Sequence, residues 1–82
     1  MNKRTALITG ATSGIGEATA RLLSSSGYRV ILCGRRDDRL TKLKNEFSAV
    51  TEVETLSFDV RDRKAVDDAL ESLPATWKRI DV

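Results

Sequence analysis

Short apolar runs alternate along the chain with segments in which apolar residues recur every three or four positions. The runs are typical of strands and the recurring segments of helices. The predicted strands cover residues 5–9, 28–33 and 53–58, and the predicted helices cover residues 14–25, 38–48 and 62–73. A last apolar stretch at 80–82 predicts the start of a fourth strand. Strands that alternate with helices in this way predict an α/β fold with a parallel sheet.

Within each predicted helix, the apolar residues define the face that should meet the sheet. They are Ile15, Ala18, Leu22 and Leu23 in the first helix, Leu40, Leu43 and Phe47 in the second, and Val66, Ala69, Leu70 and Leu73 in the third. Gly27 and Pro74 are expected to end the first and third helices, and Asp62 can cap the third. Right-handed crossovers place the first two helices on one face of the sheet and the third on the other. We therefore expect the second face to be largely bare.

A glycine-rich turn, Thr-Gly-Ala-Thr-Ser-Gly-Ile-Gly at 9–16, lies directly between the first strand and the first helix. Gly10 can leave the strand sharply, Gly14 removes a Cβ where phosphate oxygens would approach, and Gly16 lets the helix pack close to the strand. The helix N-terminus behind such a turn attracts a pyrophosphate. The segment therefore predicts a dinucleotide ligand. The alternative is a glycine-rich strand-to-helix turn that holds no ligand.

The spacing of these glycines differs from G-x-G-x-x-G, because Thr19 stands where that pattern has its third glycine. The turn instead resembles the T-G-x-x-x-G-I-G of the short-chain dehydrogenase/reductase family, over residues 3–82. The resemblance implies a Rossmann-type, doubly wound parallel sheet, present here in incomplete form. It also implies that the residues of the turn bind the cofactor, namely Gly10, Thr12, Ser13, Gly14, Ile15 and Gly16. The segments ITGATSGIGEATA and GRR resemble those of the family branch that acts on 3-hydroxy acids and serine-like substrates.

Two arginines follow the second strand, about twenty residues beyond the glycine turn. NAD-specific folds place a carboxylate there for the ribose 2′-hydroxyl. In the family that this chain resembles, the acidic position corresponds to Gly34, and the next position, Arg35, is basic in members that prefer NADP. A guanidinium fork suits the 2′-phosphate, so Arg35 and Arg36 predict NADP. The alternative is a solvated charge cluster that includes Asp37 and Asp38.

The pair Asp59-Val60 follows the third strand. The resemblance implies that this pair meets the adenine: the carboxylate accepts from the adenine amino group, and the next backbone N–H reaches a ring nitrogen. The alternative is an aspartate that stabilises a turn or caps a helix.

Carbonyl reduction also needs a proton donor, which the family supplies as a tyrosine with a lysine four residues later, assisted by a serine and an asparagine. The only tyrosine of this chain is Tyr28, and Leu32 stands four residues beyond it. The family's N-N-A-G turn after the fourth strand is also missing. We therefore assign no catalytic residue and expect residues 1–82 to be the N-terminal part of one NAD(P)-binding domain, without the catalytic half.

Composition narrows the function classes. The 14 basic and 12 acidic residues are mixed along the whole chain, which argues against nucleic acid as a partner. The apolar stretch near the N-terminus is too short for a signal sequence or a membrane span. A single cysteine, Cys33, excludes a disulfide within the chain and fits a cytoplasmic setting. Because the chain has no histidine to activate a thiol, Cys33 is expected to be a buried packing residue, and no metal site is expected.

The resemblance implies a parent enzyme that oxidises an alcohol or reduces a carbonyl with NADP, acts on a small-molecule substrate and forms a homo-oligomer. Two alternatives stay open at this point. One is a Rossmann module that senses NADP or ADP-ribose without turnover, and the other is an interaction fragment whose glycine turn holds no ligand.

Overall fold

Strands and helices alternate along the chain as the hydrophobic pattern predicts. A computed structural model of the protein describes residues 4–59, 61–77 and 79–81. The strands are β1 (Thr5–Ile8), β2 (Arg29–Gly34) and β3 (Val53–Ser57), and the helices are α1 (Gly14–Ser25), α2 (Asp37–Phe47) and α3 (Arg63–Glu71), followed by a 3-10 helix at Ala75–Trp77. The predicted α/β arrangement is confirmed, and most predicted element ends lie within one residue of the observed ones. The short 3-10 helix was not predicted.

All strand pairs in the described sheet are parallel, in the order β1-β2-β3. Ala6 pairs with Val30, and Leu32 pairs with Thr55. The central strand β2 is buried from Val30 to Gly34. A strand covered on both faces needs apolar side chains at every position, which explains its continuous apolar run.

The first two helices cover one face of the sheet, and the third helix covers the other, as the handedness of the crossovers predicts. The first core includes Val30, Leu32 and the three apolar residues of α2. The second contains Ile31, Cys33, Leu56, Phe58, Leu73 and Trp77. The expectation of a largely bare second face is wrong, because Ile31 and Cys33 are both 0% exposed. The 3-10 helix supplies the missing cover through Trp77.

Trp77 is fixed in this position by Arg29 at the start of β2. The guanidinium carbon of Arg29 lies 4.4 Å from the centre of a Trp77 ring. Arg29 also donates to Thr5 Oγ1 at 2.8 Å and to the Thr76 carbonyl at 2.8 Å. One side chain thus ties the 3-10 helix to the beginning of the first two strands.

The predicted buried face of α1 is wrong in part. Ile15 is 85% exposed and Leu22 is 68% exposed, whereas the buried positions are Gly16, Ala20 and Ser24. A Cβ built on Gly16 would lie 2.0 Å from the Gly10 carbonyl oxygen. The helix therefore approaches the end of β1 so closely that small residues, not the large apolar ones, must form its inner face.

The cap of α3 and the end of the chain complete the fold. Asp62 caps the helix as predicted, accepting from the Ala65 N–H at 3.2 Å, but the helix ends at Glu71, ahead of Pro74. No strand is present at 80–81, although the Asp81 N–H donates to the Thr5 carbonyl at 2.8 Å and the Thr5 N–H donates to Asp81 Oδ2 at 3.0 Å. This segment lies along the outer edge of β1, while Val82 lies outside the described residues.

Candidate functional site

The segments that follow the three strands meet at one edge of the sheet, because the carboxyl ends of parallel strands lie side by side. A surface groove of about 410 Å³ lies there. It is lined by Gly10, Thr12, Gly34, Arg35, Arg36, Phe58, Asp59 and Arg61. Three separate predictions from the sequence, the glycine turn, the arginine pair and the aspartate, thus fall in one place. A crevice outside the carboxyl ends of the strands is where ligands bind in open α/β sheets.

The glycine turn is shaped by a short set of hydrogen bonds. Gly10 has a φ of +63°, which side-chain-bearing residues rarely adopt. Its carbonyl accepts from the Ser13 N–H at 2.9 Å and from the Ser13 hydroxyl at 2.7 Å. The Ser13 hydroxyl in turn accepts from the Gly16 N–H at 3.2 Å and so caps α1. The turn is therefore held in shape by its own residues.

The rest of the turn faces solvent. A Cβ built on Gly14 would have no heavy atom within 4 Å, and Ser13 and Ile15 are exposed. Gly14 therefore leaves space in front of the first turn of α1, whose N–H groups point towards the helix start and favour an anion. Ser13, Gly14, Ile15 and Gly16 do not line the groove itself but extend from it along the beginning of α1.

The end of β2 brings cations to the groove. Arg35 is exposed, and its Nη1 lies 3.7 Å from Asp59 Oδ2. Arg36 is also exposed and precedes α2 without capping it through its side chain. Arg39, one turn further on, donates to the Thr12 carbonyl at 3.4 Å. A Cβ on Gly34 would lie 3.4 Å from the Thr12 side chain, so a larger residue there would crowd the glycine turn.

Asp59 is held by Arg61, a residue that the sequence reasoning missed. Arg61 donates to Asp59 through its backbone N–H at 2.9 Å and through Nη2 at 2.9 Å. Arg61 Nε lies 3.2 and 3.3 Å from the two carboxylate oxygens. These hydrogen bonds, with a smaller contribution from Arg35, lower the pKa of Asp59 to about 2. Val60, the other predicted adenine contact, lies outside the described residues.

Asp59 also stabilises the turn between β3 and α3. Its carbonyl accepts from the Asp62 N–H at 2.9 Å, and its carboxylate accepts from the Arg61 N–H two residues on. The alternative of an aspartate that stabilises a turn therefore also applies to Asp59. In the sequence, the Asp59–Arg61 pair is indicated only by an arginine two positions after an aspartate. That spacing is common in turns and does not by itself indicate a site.

Neither Tyr28 nor Cys33 lines the groove. Tyr28 is half-buried beside the first core, and its carbonyl accepts from the Thr51 hydroxyl at 2.8 Å. It precedes β2, at the end of the sheet opposite the groove. Cys33 is fully buried, and burial raises its pKa to about 12, so the thiol stays neutral. The prediction of a buried packing cysteine is confirmed.

Residues 4–59, 61–77 and 79–81 contain no group of three or more His, Cys, Asp or Glu side chains placed to hold a metal ion. Within the same described ranges, no helix is long and apolar enough to cross a membrane.

A larger groove of about 660 Å³ lies between α1 and α2. Three of its charged side chains are paired with one another: Arg21 lies 2.6 Å from Glu46 and 3.1 Å from Glu17, and these contacts raise the pKa of Arg21. Thr12 is the one predicted cofactor residue among its lining side chains. We therefore take the smaller groove at the strand ends as the candidate site.

Comparison with known proteins shows the family to which the chain belongs. The sequence matches the family model for short chain dehydrogenase over residues 4–82. It is 49% identical over 74 residues to sulfoacetaldehyde reductase 2 of Chromohalobacter salexigens, covering 90% of this chain and 29% of that protein. It is 47% identical over 76 residues to the NADP-dependent 3-hydroxy acid dehydrogenase YdfG of Salmonella typhimurium, covering 93% of this chain and 30% of that protein.

A solved structure is similar to the chain in three dimensions. The closed form of serine dehydrogenase complexed with NADP+ superimposes with a TM-score of 0.82 at 44% identity, covering 94% of this chain and 30% of that one. The chain thus spans about 30% of the length of the YdfG and serine dehydrogenase chains. The fold is of the Rossmann type, the relatives are named dehydrogenases and reductases, and the chain belongs to the short chain dehydrogenase family.

Proposed function

We propose that this chain is the NADP-binding, N-terminal part of a short-chain dehydrogenase that interconverts an alcohol and a carbonyl by hydride transfer. One observation carries the proposal: the glycine turn, the Arg35-Arg36 pair and Asp59 line or adjoin one groove at the strand ends. The groove carries guanidinium groups near the place where NAD-specific folds carry a carboxylate. The NADP-dependent relatives support the choice of cofactor.

The first half of this site would hold the pyrophosphate. Gly14 leaves the space in front of α1 free, and the helix N-terminus supplies N–H donors and a partial positive charge. Gly10 and Gly16 set the turn that places this helix end, and Ser13 fixes its geometry through the cap. Thr12 and Ile15 complete the proposed contacts of the turn.

The second half would hold the adenosine 2′-phosphate and the adenine. Arg35 and Arg36 are exposed cations that can bind a phosphate with charge-assisted hydrogen bonds. Asp59 and Val60 are the proposed adenine contacts, with Asp59 as an acceptor that stays ionised at neutral pH because its pKa is about 2. When bound, NADP supplies or accepts the hydride.

The substrate and the proton donor belong to the part of the enzyme that this chain does not contain. Tyr28 cannot serve as the donor, since it lies at the opposite end of β2 and no lysine follows it at the family spacing. We propose that residues 1–82 form part of one Rossmann domain in a cytoplasmic homo-oligomer. The named activities of the relatives support a small hydroxy acid or its carbonyl counterpart as the substrate.

The experiment uses the full-length protein that contains this chain. It is incubated with NADP+ or NAD+ and a panel of small hydroxy acids and alcohols, and the formation of reduced nicotinamide is followed by absorbance. We expect turnover with at least one hydroxy acid and a higher kcat/KM with NADP+ than with NAD+. Tight NADP+ binding without turnover of any substrate would favour the redox-sensor alternative. Failure to bind either nucleotide would contradict the proposal.

A further inference from the structure

Two guanidinium groups share the carboxylate of Asp59, and they are not equivalent. Arg61 grips it closely, with Nη2 at 2.9 Å and Nε within hydrogen-bond distance of both oxygens. Arg35 stays at 3.7 Å, which is within ion-pair range but too long for a hydrogen bond. All three side chains line the same groove.

Within the groove, two anions would compete for Arg35: the carboxylate of Asp59 and the incoming 2′-phosphate. Arg35 is the proposed partner of the ribose 2′-phosphate, but in the free protein its nearest anion is Asp59. A carboxylate without Arg61 would draw Arg35 to itself and would also repel the incoming phosphate. With Arg61 in place, the charge of Asp59 is already compensated, and Arg35 is held only loosely. Arg61 is the closer neutralising partner, and it also makes the largest contribution to the depressed pKa of Asp59.

We propose that Arg61 is a positioning residue for cofactor discrimination: it neutralises Asp59 so that Arg35 is free to bind the 2′-phosphate. Arg61 does not itself need to touch the cofactor for this role. The inference rests on the proposed function, because it presupposes that Arg35 meets the phosphate. It adds a specificity determinant outside the β2 end, on the turn that follows β3.

The role predicts an effect on the ratio of the NAD+ and NADP+ dissociation constants. Loss of Arg61 should weaken NADP+ binding, because Arg35 is diverted to Asp59, and should leave NAD+ binding nearly unchanged. The pair is solvent-exposed, so the expected change is roughly two- to fivefold. A purely structural role in the turn would weaken both nucleotides together, since the turn also carries the proposed adenine contacts.

The experiment measures both dissociation constants by calorimetry on the full-length protein and on Arg61→Gln, Arg61→Lys and the double variant Arg61→Gln/Asp59→Asn. Arg61→Gln should lower the preference for NADP+, and Arg61→Lys should restore part of it. In the double variant the preference should return, because no carboxylate then holds Arg35. Any common loss from the missing adenine contact cancels in the ratio. Arg79→Gln serves as the control, since Arg79 is exposed, does not line the groove and lies two residues before Asp81, which is hydrogen-bonded to Thr5 at the start of β1.

Three outcomes would overturn the inference while leaving NADP binding intact: an unchanged ratio in Arg61→Gln, an equal loss of both nucleotides, or a double variant that keeps the lowered ratio. An unaltered protein with no preference for NADP+ would overturn both this inference and the proposed function.

Discussion

At the residue scale, the glycines of the turn have different physical roles, although the sequence pattern treats them alike. Gly16 is required by packing, because a Cβ there would lie 2.0 Å from the Gly10 carbonyl oxygen. Gly14 has open space around it, so the fold does not require a glycine at that position. The proposed phosphate in front of α1 would account for the absence of a side chain at Gly14. Gly16 therefore serves folding, and Gly14 is proposed to serve binding.

This difference predicts opposite outcomes for two substitutions. Gly14→Val should abolish NADP+ binding in the full-length protein with an unchanged melting temperature, because the branched side chain occupies the phosphate space. Gly16→Ala should lower the free energy of unfolding by about 1–3 kcal/mol, the usual cost of overpacking. Circular dichroism melting and calorimetric titration measure the two effects. Retained NADP+ affinity in Gly14→Val would contradict the phosphate-binding role of the turn.

Cys33 gives a residue-scale prediction with a pH dependence. Its pKa is raised to about 12 by burial, so the thiol stays neutral in the folded protein. The thiol of a cysteine in an unfolded chain has a pKa of about 8.5. The difference between the two pKa values adds to the free energy of unfolding. This stabilisation is fully present below about pH 8.5 and is lost as the pH rises towards 12. Iodoacetamide should label the native protein very slowly at pH 8 and the denatured protein rapidly. Rapid labelling of a fully folded sample would contradict the burial.

At the element scale, the order and bounds of the strands and helices follow from the sequence because each signal is local. Apolar runs, the Asp62 cap and the left-handed Gly27, with a φ of +91°, act over a few residues. The inner face of α1 was mispredicted because periodicity counts apolar residues without regard to size. There the close approach at Gly16 selects small residues and turns Ile15 and Leu22 outwards.

The cap of α3 supplies a test at this scale. Asp62→Ala should lower the free energy of unfolding by about 0.5–2 kcal/mol, because the Ala65 N–H loses its acceptor. Asp62→Asn should retain most of the stability, since asparagine caps helices about as well. Chemical denaturation of the full-length protein measures both variants. Equal destabilisation by the two substitutions would show that charge, and not the cap, is the important feature.

At the scale of the whole molecule, the location of the candidate site could be predicted from the sequence, but the contacts between its side chains could not. The glycine turn, Arg35, Arg36 and Asp59 could be placed at one edge because parallel strands bring their carboxyl ends together. The pairing of Asp59 with Arg61 could not, since it depends on the path of the β3–α3 turn. The cover from Trp77 likewise depends on the long-range contact with Arg29, which no local pattern encodes.

The isolated 82-residue chain is predicted to have no dehydrogenase activity and to self-associate. Self-association is not expected to arise from a bare second sheet face, because Trp77 and α3 cover that face. In the described sheet β1 is an edge strand, and Ile15 and Leu22 are exposed on α1. Open strand edges and exposed apolar side chains favour association. Sedimentation should show oligomers at micromolar concentration. A stable monomer, or NADPH turnover with a ketone, would contradict this prediction.

The most direct test of NADP recognition is the charge reversal Arg35→Asp in the full-length protein, with Arg79→Asp as a control of equal charge change away from the groove. The NADP+ and NAD+ dissociation constants are measured by calorimetric titration. Arg35→Asp should weaken NADP+ binding by about 1.5–3 kcal/mol, the value of a hydrogen bond to a charged group, and should affect NAD+ much less. Arg79→Asp should change neither. If Arg35→Asp weakens both nucleotides equally, Arg35 is a surface charge and the assignment of NADP to this groove is wrong.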